Sequence, residues 1–157
     1  MTNTLQDFIV EVDKKIVVLF ESKGAIYPMY HTVTRAGDHN ILTPPGEKDI
    51  AAIVMRAYFE LADVVRYVFV NEAWQLYATK LSEDEMREIA KRGLADYPGR
   101  IEVLMYVGED DSGTITAHRT ITRPSHGKAE LGPLEIDRPR VSEGRMVGML
   151  PQRGQPS

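Results

Sequence analysis

The sequence contains no cysteine, and this removes several kinds of chemistry at once. Without a thiol the chain has no disulfide, no thiolate metal ligand and no cysteine nucleophile. Disulfides belong mainly to oxidising compartments, so a chain without cysteine suits the reducing cytoplasm. We therefore expect a cytoplasmic protein whose stability comes from a packed core.

Long apolar runs are also missing. The longest, Ile16–Phe20 and Val64–Val70, fall far short of the roughly 20 residues that a membrane-spanning helix needs. The first residues lack the basic stretch of a secretory signal. With 43% hydrophobic and 27% charged residues, the composition is that of a globular protein, and 157 residues suffice for one domain. The sequence predicts a soluble protein with no membrane partner.

Motifs for nucleotide binding and nucleophilic catalysis are absent. The sequence has no P-loop, no GxGxxG after a strand and no GxSxG nucleophile elbow. No H-x-x-x-H or H-E-x-x-H spacing of a zinc site occurs among the four histidines, His31, His39, His118 and His126. The acidic run Glu109–Asp111 offers oxygen ligands, but its spacing is not that of a calcium loop and its neighbours favour a turn. We expect neither a cofactor nor a metal.

Two segments have the periodicity of amphipathic helices. The first covers residues 4–22, with Thr4 and Asp7 placed to cap its start and Gly24 to end it. Its apolar stripe consists of Leu5, Phe8, Ile9, Val12, Ile16, Leu19 and Phe20. The second helix covers residues 47–62, and the stripe that we expect it to bury consists of Ile50, Ile53, Val54, Ala57, Tyr58 and Leu61.

The segments around the second helix read as strands. Ala25–Thr34 is rich in aromatic and β-branched residues, and Pro28 requires this strand to begin there or to lie at an edge. Ile41 and Leu42 suggest a return strand. Val64–Tyr77 is apolar on both faces at its start, which places it inside the sheet with cover on both sides. The unit from Ala25 to Tyr77 is compatible with a parallel crossover.

The second half of the chain predicts one short helix and a hairpin. Ser82 and Glu85 form a capping box for the helix. Arg100–Val107 and Thr114–Thr122 alternate as strands, joined by the loop Gly108–Gly113, with His118 on the outward polar side. Leu131–Ile136 adds an edge strand.

These elements predict an α+β fold in a single domain over residues 1–136. Its sheet is mixed but mostly antiparallel, has four to six strands and is packed by two long helices and one short helix. Residues 137–157 are rich in proline, glycine and arginine, and we expect them to form a flexible tail.

The end of the apolar strand carries the first candidate site. Glu72 and Trp74, the only tryptophan, follow Val70 where the strand leaves the core. A buried carboxylate beside an indole has a raised pKa, which suits a general acid, and Trp74 is a candidate ligand contact. Alternatively, Glu72 faces solvent or pairs with an arginine while Trp74 seals the rim of the core.

A catalytic site assembled across strands would combine Glu72 with His31 or His118. Histidine and a carboxylate are common acid–base partners. The alternative is that each histidine lies at the surface or is a satisfied core residue.

The segments YVFVNEAW (Tyr67–Trp74) and YPGRIEVLMYVGED (Tyr97–Asp110) resemble parts of small uncharacterised bacterial and phage-type proteins. In these, a strand ending in E-A-W precedes a proline-arginine turn and another apolar strand. The resemblance covers about the middle third of the chain. That group has no assigned activity, so the resemblance implies a bacterial or phage origin and transfers no function.

Three functions remain open. The first is a non-enzymatic binding or accessory protein that self-associates as a homodimer, which fits the missing motifs and the doubly apolar strand. The second is a small acid–base or metal-assisted enzyme. The third is a nucleic-acid accessory protein using the polar face of Thr114–Arg123 and the mildly basic C-terminal end, although the net charge of −4 opposes it. The sequence does not identify a small-molecule ligand.

Overall fold

The computed structural model describes residues 4–75, 82–92 and 100–137, which form three helices and an antiparallel sheet. The helices are α1 (Leu5–Lys23), α2 (Lys48–Leu61) and α3 (Glu83–Arg92). The strands are β1 (Met29–Thr34), β2 (His39–Leu42), β3 (Val64–Gln75), β4 (Ile101–Asp110), β5 (Gly113–Thr122), β6 (Glu130–Leu131) and β7 (Glu135–Ile136). This is the α+β class that the sequence predicts. No helix within these ranges has the length and apolar character needed to cross a membrane.

The sheet has the strand order β2-β1-β3-β4-β5-β6, with β7 also paired to β5. Every pair is antiparallel, including β1 with β3, so the parallel crossover from Ala25 to Tyr77 is wrong as a description of neighbouring strands. Strand β2 reverses the direction of the chain relative to β1. Helix α2 then connects β2 to β3, which also runs antiparallel to β1. Within the described ranges the sheet has seven strands, against the predicted four to six, because the segment of the predicted edge strand Leu131–Ile136 supplies two short strands, one on each side of Pro133.

Strand β3 is covered on both faces, as its sequence predicts. Val68 and Val70 pack beneath α1, whereas Tyr67 and Phe69 belong to the cluster on the α2 side. All four side chains are buried. The alternation of side chains along a strand thus gives each helix its own apolar surface.

Helix α1 follows its predicted boundaries to within one residue. Thr4 and Asp7 form the capping box, and Gly24 ends the helix in the left-handed conformation with φ 75°. The buried positions of its stripe are Leu5, Ile9, Val12, Ile16 and Phe20. They pack against the core side chains of β3, β4 and β5.

Helix α2 packs with a different face from the one that its sequence favours. Ala51, Met55 and Phe59 are buried, and the Phe59 ring lies 5.3 Å from that of Tyr30 and 5.0 Å from that of Tyr67. Of the predicted stripe, Tyr58 is half-buried against the aromatic cluster. Its other large members point away from the sheet: Ile50, Ile53, Val54 and Leu61 are 54%, 69%, 45% and 88% exposed. The prediction is wrong because α2 carries two apolar stripes, and the aromatic surface of the sheet takes the one that contains Phe59.

The β4–β5 hairpin has a tighter turn than predicted. Both strands extend to Asp110 and Gly113, so Gly108 lies inside β4 rather than in a six-residue loop. A Cβ atom on Gly108 would lie 3.0 Å from Ile9 Cδ1 and 3.1 Å from Leu5 Cδ1. The absence of a side chain therefore lets α1 approach the sheet closely.

Helix α3 begins at the predicted capping box, with hydrogen bonds of 3.2 and 3.1 Å between Ser82 and Glu85. None of its residues is buried. The end of the predicted long strand at Tyr77 and residues 138–157 of the predicted tail lie outside the described residues. Asp137 bonds through its backbone to Thr116 at the end of β7.

The close approach of α1 at Gly108 is testable by substitution. We expect Gly108→Val to lower the free energy of unfolding by about 1–3 kcal/mol, because the new methyl groups must displace Ile9 and Leu5. Denaturant titration measures the change. Gly46→Val is the control, since no atom lies within 4 Å of the corresponding Cβ position. Equal stability of Gly108→Val and wild type would contradict the packing described.

Candidate functional site

Glu72 joins the segment after α1 to the sheet. Its Oε2 accepts a hydrogen bond of 2.6 Å from the Ile26 backbone N–H, and its Oε1 accepts one of 2.9 Å from Arg123. Arg123 also donates to Glu102 at 2.6 Å. Both carboxylate oxygens are thus engaged in contacts that hold chain segments together. The general-acid role of Glu72 stays a prediction and gains nothing from this geometry.

Trp74 lies two residues further along β3 and is 38% exposed. The guanidinium of Arg100 lies 4.5 Å from the centre of the indole ring, in a cation–π contact. The exposed side of Trp74 is a surface feature rather than part of a described cavity. Its role as a ligand contact likewise stays a prediction.

His118 is buried, contrary to its predicted outward position. Its Nδ1 lies 2.9 Å from Asp137 Oδ1 and its Nε2 lies 3.2 Å from Glu135 Oε2, so the segment around β7 covers the polar side of β5. A neutral imidazole has one N–H, and only the imidazolium donates to both carboxylates. Through these two contacts His118 links β7 and the residue that follows it to strand β5.

The structure does not bring the three catalytic candidates together. His31 on β1 is paired with Val68, and Glu72 lies four residues further along β3, which is about 13 Å along a strand. The neighbours of His118 on β5, Ala117 and Arg119, face α1, so His118 faces the opposite side. The assembled acid–base site therefore has no geometric basis.

A buried ionic network that sequence reasoning missed fastens α1 to the sheet. Asp13 is 3% exposed and accepts a hydrogen bond of 2.6 Å from the Tyr106 hydroxyl. Arg119 donates to both Asp13 oxygens, at 2.8 and 2.7 Å, and to the Gly132 carbonyl at 2.7 Å. Burial and the Asp13 carboxylate raise the pKa of the Tyr106 hydroxyl, and the hydrogen bonds to Asp13 raise the pKa of Arg119. The available signal was a carboxylate on the apolar stripe of α1.

The acidic run Glu109–Asp111 forms the hairpin turn. Asp110 accepts hydrogen bonds from the Ser112 backbone, at 2.8 Å, from the Ser112 hydroxyl and from Arg66, at 2.9 Å. Burial favours the neutral acid, but these hydrogen bonds outweigh it and lower the pKa of Asp110. Within the described residues, no group of three or more carboxylates and histidines is arranged to hold a metal ion.

A groove of about 860 Å³ lies beside α1, above strands β1 and β2. His31 lines it and is 5% exposed. Its Nε2 is buried and has no hydrogen-bond partner among the described residues. Burial, with a smaller contribution from the Lys15 charge, lowers the pKa of His31 to about 4, so the imidazole is neutral at physiological pH.

The exposed apolar stripe of α2 is the second surface that stands out. We call it the α2 face, and its members are Ile50, Ile53, Val54, Ala57 and Leu61. The other large exposed apolar side chains of the described residues are spread over α1, α3, the strands and loops. Single exposed apolar residues are common, but a contiguous stripe along a whole helix indicates a contact surface.

Comparison with protein-family models, with curated proteins and with solved structures finds no match for this chain. The resemblance of Tyr67–Trp74 and Tyr97–Asp110 to bacterial and phage-type proteins therefore stays a prediction.

The Asp13 network predicts a large stability difference between two carboxylates of the same helix. We expect Asp13→Leu to cost about 3–5 kcal/mol of unfolding free energy, because it leaves the partly buried Arg119 charge without its carboxylate partner. Glu11→Ala, which removes an exposed pair with Lys14, is expected to change it by less than about 1 kcal/mol. Denaturant titration measures both.

The double variant Asp13→Leu/Arg119→Leu separates charge from packing. It is expected to be more stable than Asp13→Leu alone, because no unpaired charge remains buried. If Asp13→Leu were as stable as Glu11→Ala, the network would not hold α1 in place.

The low pKa of His31 predicts a pH dependence of stability. Between pH 6.5 and about 4 the unfolded chain binds a proton at His31 that the folded chain does not, so stability falls as the pH is lowered through this window. The loss approaches about 3 kcal/mol at its acid end. His31→Phe is expected to lack this component, while the exposed His126→Phe retains it. Unfolding curves at several pH values measure the slopes, and identical slopes in both variants would rule out a neutral buried His31.

Proposed function

We propose that this chain is a non-enzymatic binding protein of the cytoplasm that acts as a homodimer, with the α2 face as the subunit interface. The observation that carries the proposal is the exposure of Ile50, Ile53, Val54 and Leu61 along one side of a helix whose other side is already packed. The absence of cysteine supports the cytoplasm. Residues 1–136 are proposed to form one domain, supported by the packing of α1 and α2 on opposite faces of β3.

A second copy is the occupant that the spacing of the α2 face fits. A two-fold interface brings the same surface of each subunit together. In an antiparallel pair of α2 helices centred between residues 55 and 56, Ile50 faces Leu61 of the second copy and Val54 faces Ala57. Each pair occurs twice because of the two-fold symmetry. At the ends of the interface two large side chains meet, Ile50 and Leu61, and near the axis a large side chain, Val54, meets a small one, Ala57. Charged Asp49, Arg56 and Glu60 border the stripe as a polar rim.

The apolar surface is sufficient in magnitude for weak to moderate association. Full burial of a large aliphatic side chain contributes about 1.5–3 kcal/mol, and each copy offers four such side chains. Because these side chains are already partly buried in the subunit, only part of this amount is gained, and the sum over two copies is of the same order as the roughly 4–15 kcal/mol lost in association. The interface therefore depends on these few side chains. A single substitution that places a charged side chain among them is expected to abolish dimerisation.

The other two functions lack a comparable observation. An enzyme using Glu72 would need a carboxylate free to exchange a proton with substrate, but both its oxygens are engaged by Ile26 and Arg123. A nucleic-acid interface on β5 would need free cations. Arg119 and Arg123 instead form ion pairs with carboxylates of the same chain.

The proposal is tested by the mass of the protein in solution. Wild type is expected to show twice the mass of one chain in sedimentation and light scattering, and Ile53→Glu the mass of a single chain. Because Ile53 is 69% exposed, the substitution is expected to leave the fold of each subunit intact, which circular dichroism checks.

The matched control is Val18→Glu, at a position of α1 that is 68% exposed but stands outside the α2 face. This variant is expected to remain a dimer. A monomeric wild type at the highest soluble concentration, or a dimer that survives Ile53→Glu, would refute the α2 interface.

A further inference from the structure

The chain before β7 is anchored in the core, whereas β7 itself is not. Leu131 and Leu134 pack against the core cluster on the α1 side, and the Gly132 carbonyl accepts a hydrogen bond of 2.7 Å from Arg119. After Leu134, none of the residues that the structure describes belongs to a core cluster, and Ile136 of β7 is 38% exposed. Attachment of β7 therefore depends on contacts other than the burial of apolar side chains.

Three kinds of contact hold β7 on the outer edge of β5. Two residue pairs join the strands, Ala117 with Ile136 and His118 with Glu135. The Asp137 backbone N–H donates a hydrogen bond of 2.8 Å to the Thr116 carbonyl. The third contact is the His118 ring, whose Nδ1 faces Asp137 and whose Nε2 faces Glu135. Because so few backbone groups pair, the ring contacts contribute much of the attachment.

The two ring contacts depend on a proton. A charged carboxylate only accepts hydrogen bonds, and a neutral imidazole donates only one, so a neutral ring directs a nitrogen lone pair at a carboxylate oxygen. The imidazolium instead donates to both carboxylates and carries the opposite charge. Because the His118 side chain is only 10% exposed, water does not readily replace the partner that a neutral ring loses.

We propose that His118 is a proton-dependent link between β5 and β7: the imidazolium holds Glu135 and Asp137 on the sheet, and loss of its proton lets this segment detach. Detachment leaves the outer edge of β5 at Ala117 and His118 without its strand partner. Histidine is the side chain that changes charge between about pH 5 and 8, and this sets the range of the response.

The other elements next to His118 bring no ion pair to it among the described residues. Strand β4 places the uncharged Met105 beside it. Glu109, on the same side of β4, lies four residues beyond Met105, which is about 13 Å along a strand. Arg56 of α2 acts on Tyr30 of β1, and β3 and β4 separate β1 from β5. The response is therefore governed by the two carboxylates of the β7 segment.

Amide hydrogen exchange of the wild-type protein tests the link within one molecule. The Asp137 N–H reports the attachment of β7, and the Gly132 N–H, bonded at 2.8 Å to the Thr120 carbonyl, reports the anchored segment. Protection is corrected for the intrinsic exchange rate at each pH. Between about pH 5.5 and about pH 8 it is expected to fall about tenfold at Asp137 and by less than about twofold at Gly132. Constant protection of Asp137, or an equal fall at Gly132, overturns the proposal.

Two histidines give a matched pair of variants. Glutamine donates a hydrogen bond but does not titrate, so His118→Gln is expected to show equal protection of Asp137 at both pH values. His126 is exposed and makes no part of the link, so His126→Gln is expected to retain the fall. A fall that persists unchanged in His118→Gln assigns the response to another group and overturns the proposal.

Nitrogen spectra of the His118 ring provide a second measurement, which needs no substitution and so holds even where His118→Gln fails to fold. These spectra distinguish the imidazolium from the neutral ring. Loss of the ring proton and loss of Asp137 protection are expected to share one midpoint as the pH rises, because the proposal makes them a single equilibrium. Clearly separate midpoints overturn it.

Discussion

The alternating side chains of β3 bury apolar surface on both sides of the sheet, and the positions of both long helices follow from this. Val68 and Val70 require cover on one side, and Tyr67 and Phe69 require it on the other. Helix α1, which precedes the sheet in the chain, covers the first side. Helix α2, inserted between β2 and β3, covers the second. A strand with only one apolar face would leave one of the helices without a surface to pack on.

Apolar packing alone does not fix the position of α1 along the sheet. An apolar stripe remains in contact when a helix slides by one turn, since the same types of side chain replace one another. The Asp13 carboxylate removes this freedom, because one position alone places it within reach of both Tyr106 and Arg119. Any other position would bury a charge without a partner. The network thus selects the arrangement, and Gly108 permits the close approach that this arrangement requires.

Local and periodic signals could be predicted from the sequence, whereas signals that depend on distant segments could not. The capping box at Thr4 and the doubly apolar start of β3 are readable from neighbouring residues alone. The partner of Glu72 lies 51 residues away, and His118 is buried by a carboxylate 19 residues downstream. Local sequence patterns do not indicate contacts between residues that lie so far apart in the chain. Asp13 was readable in principle, since a carboxylate at a stripe position requires a partner.

The orientation of α2 was unpredictable for a different reason, and that reason bears on function. Periodicity identifies an amphipathic helix by the contrast between an apolar and a polar side, but α2 is apolar on two sides. The aromatic surface formed by Tyr30, Tyr67 and Phe69 favours the side of α2 that carries Phe59. Contacts between aromatic rings stabilise the packing beyond the contribution of the apolar area that they bury.

Packing on the sheet requires one apolar side of α2 and gives no role to the other. Polar residues at Ile53 and Leu61 would leave every intramolecular contact of the core in place, since both side chains point away from it. In an isolated subunit the second stripe only exposes apolar surface to water, which favours aggregation over solubility. The stripe becomes useful once another surface covers it. A second copy meets that requirement with the residues of this chain alone, and it leaves the groove on the opposite side of the sheet open.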